Sequence, residues 1–303
     1  MAFSETPDWL RATLMLLTAL SFAPQLYRIW RKADSTGVSL TYTLLNLICA
    51  TEQFTVLLIF AFPALPDYGG VYVHDPLTTG DWLNIVQLGV VWLLFLVLFT
   101  LTLHHAPTRP QWQKYLFIGV YTLFFIISLF PLLLDYTTPL FDESHANTPV
   151  LAHDIFMGVH VLFINHTVLI ATILSLPFQL WSIFTGAFPG LSVVGLAIQA
   201  IVFTLLAVSW GGRIVEPQSW TEYPDSDTTF LDWYKAVGWF CTDSLVFTGM
   251  QGFLFVVAVA RKIMMAGKGA RLDAGVQLEG GERDDEEIQP LLGLDERESA
   301  DYR

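Results

Sequence analysis

Pro24-Gln25-Leu26-Tyr27-Arg28-Ile29-Trp30-Arg31-Lys32-Ala33-Asp34-Ser35-Thr36-Gly37-Val38-Ser39 is the stretch that decides the fold. An apolar run, Leu10 to Ala23, precedes it, and another, Leu40 to Phe62, follows it. A proline and a glutamine therefore stand near the end of one hydrophobic helix, and a short basic turn leads into the next. Proline removes a backbone hydrogen bond and kinks a helix. Within a bilayer such a break persists only where neighbouring helices, side chains or water satisfy the backbone. Gln25 brings a donor and an acceptor to that weak point.

The stretch returns. Gln25-Leu26-Tyr27-Arg28-Ile29-Trp30 reappears as Gln179-Leu180-Trp181-Ser182-Ile183-Phe184, and Gly37-Val38-Ser39 as Gly190-Leu191-Ser192. Nine residues beyond each glycine stands an amide, Asn46 and Gln199. The prolines align less well, because Pro24 adjoins Gln25 whereas Phe178 separates Pro177 from Gln179.

Composition places the chain in lipid. Of 303 residues, 53% are hydrophobic and 14% charged, against about 25% charged in soluble domains. Seven runs approach the ~20 residues that cross a bilayer. They are 10–30, 38–62, 82–103, 113–134, 151–181, 190–210 and 236–260. The fifth is longer than required and is expected to tilt or bend at Pro177. Met1 to Asp8 lacks the basic n-region of a signal peptide, so the first helix is read as retained. Cys49 and Cys241 both fall in apolar runs and read as buried small hydrophobes.

Lysine and arginine set the orientation. Arg28, Arg31, Lys32, Arg109, Lys114, Arg261, Lys262, Lys268 and Arg271 gather on one face, which is expected to be cytosolic. Only Arg11, Arg213 and Lys235 lie on the other, which also takes the N-terminus. The net charge of −13 owes much to the tail, since residues 267–303 carry 5 basic and 11 acidic residues. That tail reads as solvated and disordered. No basic patch suits a nucleic acid.

The repeated motif resembles the PQ-loop family of membrane proteins, which includes cystine and cationic amino-acid exporters, SWEET-type sugar carriers and ER-retrieval receptors. The resemblance implies an all-α polytopic membrane protein. Its seven transmembrane helices would form two parallel three-helix PQ-loop repeats joined by a linker helix (3+1+3). The expected divisions are 1–111 for the first unit, 112–149 for the linker helix and lumenal loop, 150–262 for the second unit and 263–303 for the tail. A substrate site would lie between the units near mid-membrane. In related carriers the motif residues act as hinges, which assigns Pro24, Gln25, Pro177 and Gln179 to gating. Proton coupling in cystinosin-like members uses an aspartate in the last helix, and Asp243 lies in the comparable helix here.

Ionisable groups inside spans are costly and mark function or a partner. Glu52 lies near the middle of the second run and Asp243 in the seventh. No lysine or arginine lies deep enough to pair with either. A buried carboxylate without a cation tends to take up a proton, so both are candidates for proton coupling. Glu52 has a structural alternative, a bond across the bundle to an amide near Gln53. His153, Asp154, His160, Asn165 and His166 occupy the fifth run. His153 and His160 are two turns apart, roughly 10 Å, too far for one metal ion without a third helix. Substrate-contacting candidates are Asn46, Gln199, His160 and Asn165; amides also serve as interhelical glue.

In the tail, Glu287, Leu291 and Leu292 resemble the acidic dileucine signal that clathrin adaptors read on lysosomal and vacuolar proteins. The reading is a carrier of a small polar solute, most often an amino acid, driven by protons out of a vacuole or lysosome by alternating access. A PQ-loop sorting or signalling receptor and a facilitative sugar carrier are the alternatives. No nucleophile–base pair, nucleotide loop or metal spacing supports an enzyme, and no cofactor is expected.

Overall fold

The computed structural model describes residues 5–61, 73–74, 76–106, 109–132, 155–185, 190–213 and 238–280, with side chains to 267. Its regular elements are helices, and no strand occurs among the described residues. In chain order they are α1 (Asp8–Lys32), α2 (Leu40–Ala61), α3 (Thr79–His104), α4 (Gln111–Ser128), α5 (Ile155–Thr185), α6 (Val193–Trp210) and α7 (Trp239–Gly280). Among the described residues, α2, α3, α5, α6 and α7 are long and apolar enough to cross a membrane. The chain is a multi-pass helical membrane protein.

The distribution of polarity fits a bilayer rather than water. Leu16, Leu93, Phe163, Trp181, Val208 and Val256 are exposed, whereas Thr18, Ser21, Glu52, Gln87, Gln179 and Asp243 are buried. Water would reward the opposite arrangement. Apolar surface outside and hydrogen-bonded polar groups inside satisfy a hydrocarbon solvent. On α4 only Ser128 is fully buried; Phe117, Tyr121 and Phe124 pack half-buried against the core, and the rest of the helix is largely exposed.

Two features set the helix ends near the motif. Ala33 closes α1 in the left-handed region at φ 47°, and Gly37 follows at φ 92°, where a side chain is strained. Between them Asp34 Oδ1 accepts from the Thr36 backbone and hydroxyl, an Asx turn. The Ser35 backbone N–H donates to His105 O at 3.1 Å, tying this turn to the end of α3. At the opposite end of α3, Thr78 and Asp81 form a reciprocal capping box.

Compact packing covers one unit, Met1–Ala258, and Val259–Arg303 forms a second. Within the first, α2 packs against α3, α4 and α5, and α1 packs against α3 and α6. In the best spanning window of α2, 72% of residues are buried, against 22% in α5, so α2 is the inner helix.

α5 is interrupted at Ser175, just before Pro177, where a bend was expected, because the proline has no N–H to continue the ladder and crowds the preceding turn. Three local outcomes differ from the sequence reading. α1 runs unbroken through Pro24. α5 also contains a π-helical turn, His160–Ile164, closed by Asn165 N–H to His160 O; an extra residue in a turn leaves no mark in hydrophobic periodicity. In addition, α7 continues to Gly280, into residues expected to be an irregular tail. Ala266, Arg271, Ala274 and Gln277 are good helix formers, and no proline stops the run. His153, Asp154, Glu287, Leu291 and Leu292 lie outside the described residues.

Candidate functional site

Each motif glutamine reaches into the other repeat. Gln25, from α1, donates through Nε2 to Gly190 O at 2.8 Å and accepts at Oε1 from Ser192 N–H at 2.7 Å. Gln179, from α5, donates to Gly37 O at 2.8 Å and accepts from Ser39 N–H at 2.8 Å. The same two bonds, to the same two atoms, are thus made twice with the partners exchanged. The turns themselves touch, since Gly190 N–H donates to Thr36 O at 3.0 Å. α1 and α5 therefore finish at one end of the bundle. All four backbone groups belong to turns that start α2 and α6, where N–H and C=O groups lack helical partners.

The repeat extends further back than the sequence reading took it. Thr18 Oγ1 donates to Leu14 O and Ser21 Oγ to Thr18 O, both at 2.7 Å. Thr172 Oγ1 donates to Val168 O at 2.9 Å and Ser175 Oγ to Thr172 O at 2.6 Å. Thr-x-x-Ser-x-x-x-Gln recurs at identical spacing, 18–25 and 172–179. That spacing was visible in the sequence but sat upstream of the motif. It aligns the two segments better than the displaced prolines do.

Gly190 is needed for this contact. A Cβ there would stand 2.7 Å from Asp34 O and 3.0 Å from Thr36 O, both backbone atoms. Gly190→Ala is expected to lower stability by about 1–3 kcal/mol, read as a fall in the melting temperature of the purified protein. An unchanged melting curve would mean the two turns part without cost.

Two cavities of about 30 Å³ each lie between the helices, room for roughly two waters apiece. The polar residues lining the first include Asn46, Gln53, Thr172, Asp243 and Ser244. The second is lined by Gln25, Tyr42, Gln179, Gln199 and Gln251 among others, next to the glutamine clamps. Phe95 lines both. It meets Phe22 at 5.0 Å and Phe247 at 5.4 Å edge to face, and Phe203 packs on Phe247 at 4.5 Å. An aromatic layer drawn from α1, α3, α6 and α7 thus stands where the two cavities meet.

The carboxylates find partners that no linear reading identified. Asp243 Oδ2 accepts from Gln53 Nε2 at 2.8 Å, while its Oδ1 is buried without a hydrogen bond. Glu52 Oε1 lies 2.8 Å from His160 Nδ1, and both side chains are at most 2% exposed. Adjacent residues of α2 therefore join the two carboxyl systems, Glu52 to α5 and Gln53 to α7. The amide expected beside Glu52 serves Asp243 instead, because successive helical residues point 100° apart. His160 begins the π turn, and Phe156 packs on its ring at 4.3 Å.

Glu52→Gln is expected to leave folding nearly unchanged, since an amide can donate to or accept from His160. Glu52→Leu strands the His160 nitrogen and is expected to cost about 1–3 kcal/mol. Melting curves of the two variants test the contact; equal melting would remove the Glu52–His160 bond from the stabilising interactions.

Asn46 and Gln199, matched in sequence, line different cavities. Asn46 Nδ2 is also held by Tyr42 O at 2.8 Å on its own helix. His160 and Asn165 are buried but line neither cavity.

No curated protein and no solved structure matches the chain. Residues 9–64 match the PQ loop repeat family. That interval contains α1 with Gln25, the Gly37–Ser39 turn and α2 with Asn46, Glu52 and Gln53. The chain therefore carries a PQ loop repeat across its first two helices.

Proposed function

We propose that this protein is a carrier of a small polar solute, an amino acid by preference, that moves it by alternating access coupled to protons. The reading takes all seven helices as spans in a 3+1+3 arrangement, with α4 as the linker. The observation that carries it is Asp243 on the first cavity, bonded to a neutral amide and forming no ion pair among the described residues. A carboxyl in such a place can gain and lose a proton as access changes. Asn46, Gln53 and Ser244 offer neutral hydrogen-bonding groups beside it, suited to a zwitterion's polar ends.

Each cavity, at about 30 Å³, is too small for an amino acid. Transport then requires the helices to part. The proposal assigns that motion to the two glutamine clamps on one side of the aromatic layer, with Pro24 and Pro177 on the helices that swing. Export from an acidic organelle lumen, with the tail displaying its dileucine signal to cytosolic adaptors, completes the reading.

The test is solute flux in sealed liposomes containing the purified protein, with an imposed pH gradient and a panel of amino acids plus glucose. Amino-acid flux that follows the gradient supports the proposal. Glucose flux indifferent to pH, or no flux of any solute, overturns it.

A further inference from the structure

At the end of the bundle where α1 begins and α6 stops, two arginines are buried close together. Arg11 and Arg213 are each 2% exposed. Thr6 joins their segments, donating its N–H to Gly212 O at 2.8 Å and its hydroxyl to Ser209 O at 3.1 Å. Thr6 O in turn accepts from Arg11 Nε at 2.9 Å. The Arg213 guanidinium lies over the Trp210 ring at 5.1 Å. Its Nη1 is 3.5 Å from Asn84 Oδ1 on α3.

The anionic partners at hand are weak. Arg11 meets Glu5 at 3.5 Å and Asp8 at 3.9 Å, and these carboxylate side chains are 72% and 55% exposed. Pairs so open to solvent contribute little. Asp81 directs Oδ2 to Thr78 and His74 and makes no ion pair with either arginine. Arg213 forms no ion pair with any described residue. Three guanidinium nitrogens, Arg11 Nη1 and Arg213 Nε and Nη2, are buried without a hydrogen bond. Burial first, and the charge of Arg11 second, pull the Arg213 guanidinium down to about 9, so it still carries its charge at neutral pH.

Unpaired charged donors and two like charges in one buried place are each unfavourable. One oxyanion offsets both, because guanidinium forks match the two oxygens of a carboxylate or phosphate. Gly80 on α3 lets the Arg11 guanidinium lie where it does, since a Cβ there would stand 2.2 Å from Arg11 Nη1. We infer that Arg11 and Arg213 together hold a small oxyanion, a carboxylate or a phosphate, at this end of the bundle. The inference does not depend on the protein carrying a solute.

Thermal unfolding of the full chain in phosphatidylcholine nanodiscs tests it. Inorganic phosphate or acetate, at constant ionic strength against chloride, is expected to raise the Tm by about 5 °C at saturation. A parallel arm uses nanodiscs containing phosphatidic acid with no free oxyanion. A rise there alone identifies the oxyanion as a lipid headgroup, and a rise with phosphate or acetate identifies it as a free solute. Arg213→Gln and Arg11→Gln are expected to lose the rise. Gly80→Ala, which removes no charge and only displaces the Arg11 guanidinium, is expected to lose most of it, and it decides the matter should neither arginine variant fold. The inference is overturned if no oxyanion, free or lipid, outperforms chloride, or if the rise persists undiminished in the variants that fold.

Discussion

Asp243→Asn is expected to lower gradient-driven flux by about 100-fold, the scale of a lost proton-transfer group, with the protein still folded and inserted. The substitution is nearly isosteric. Asparagine keeps an oxygen to accept from Gln53 Nε2, now at 2.8 Å from Asp243. What it cannot do is exchange a proton. Stability and the α2–α7 contact should therefore survive while coupling is lost. Counterflow of the solute with no pH gradient gives the complementary reading. If Asp243 serves coupling alone, the variant exchanges solute at near the wild-type rate while losing the response to pH. Flux in the variant that matches wild type and still follows the gradient would return Asp243 to a packing role and move the proton site elsewhere, with Glu52 and His160 next in line.

Removing either glutamine clamp should have the largest effect on stability. Gln25→Leu strands Gly190 O and Ser192 N–H, and Gln179→Leu strands Gly37 O and Ser39 N–H, all beside buried residues. An unpaired buried polar group costs roughly 1–3 kcal/mol, so each variant should lose about 2–5 kcal/mol and about 10 °C in melting temperature. The two losses should be close in size, because the two clamps use the same atoms in the same geometry. Gln25→Glu is a finer probe, keeping the acceptor for Ser192 N–H while setting a carboxyl oxygen against Gly190 O. A large shift for one glutamine and none for the other would show that only one turn is held in this way. In liposomes, loss of a clamp should also raise solute leak, since the clamped turns border the second cavity.

Hydrophobic length was readable residue by residue. Helix existence and type follow from it, and the boundaries moved by only a few residues at most ends. The break at Ser175 falls where Pro177 was expected to bend the fifth helix, and the one end that moved far did so through local chemistry that hydrophobicity does not report, the helix formers after Ala266 extending α7. The partial repeat was also readable, though Thr18, Ser21, Thr172 and Ser175 went unread because polar residues in an apolar run look like noise until their bonds are seen.

Partners were the opposite case. The sequence by itself determined that this chain is helical, lives in lipid, and repeats a proline–glutamine motif with a glycine turn behind it, because these are properties of composition and spacing along one strand of chain. Only the tertiary structure decided that Gln25 holds Gly190 and Ser192 while Gln179 holds Gly37 and Ser39, across sequence separations of 140 to 167 residues. It likewise decided that Glu52 faces His160 and Gln53 faces Asp243, and that two arginines 202 positions apart share one buried corner. The physical reason is that a side chain's hydrogen-bond partner is set by which helices pack together and in what rotation. A buried donor bonds whatever acceptor the packing delivers.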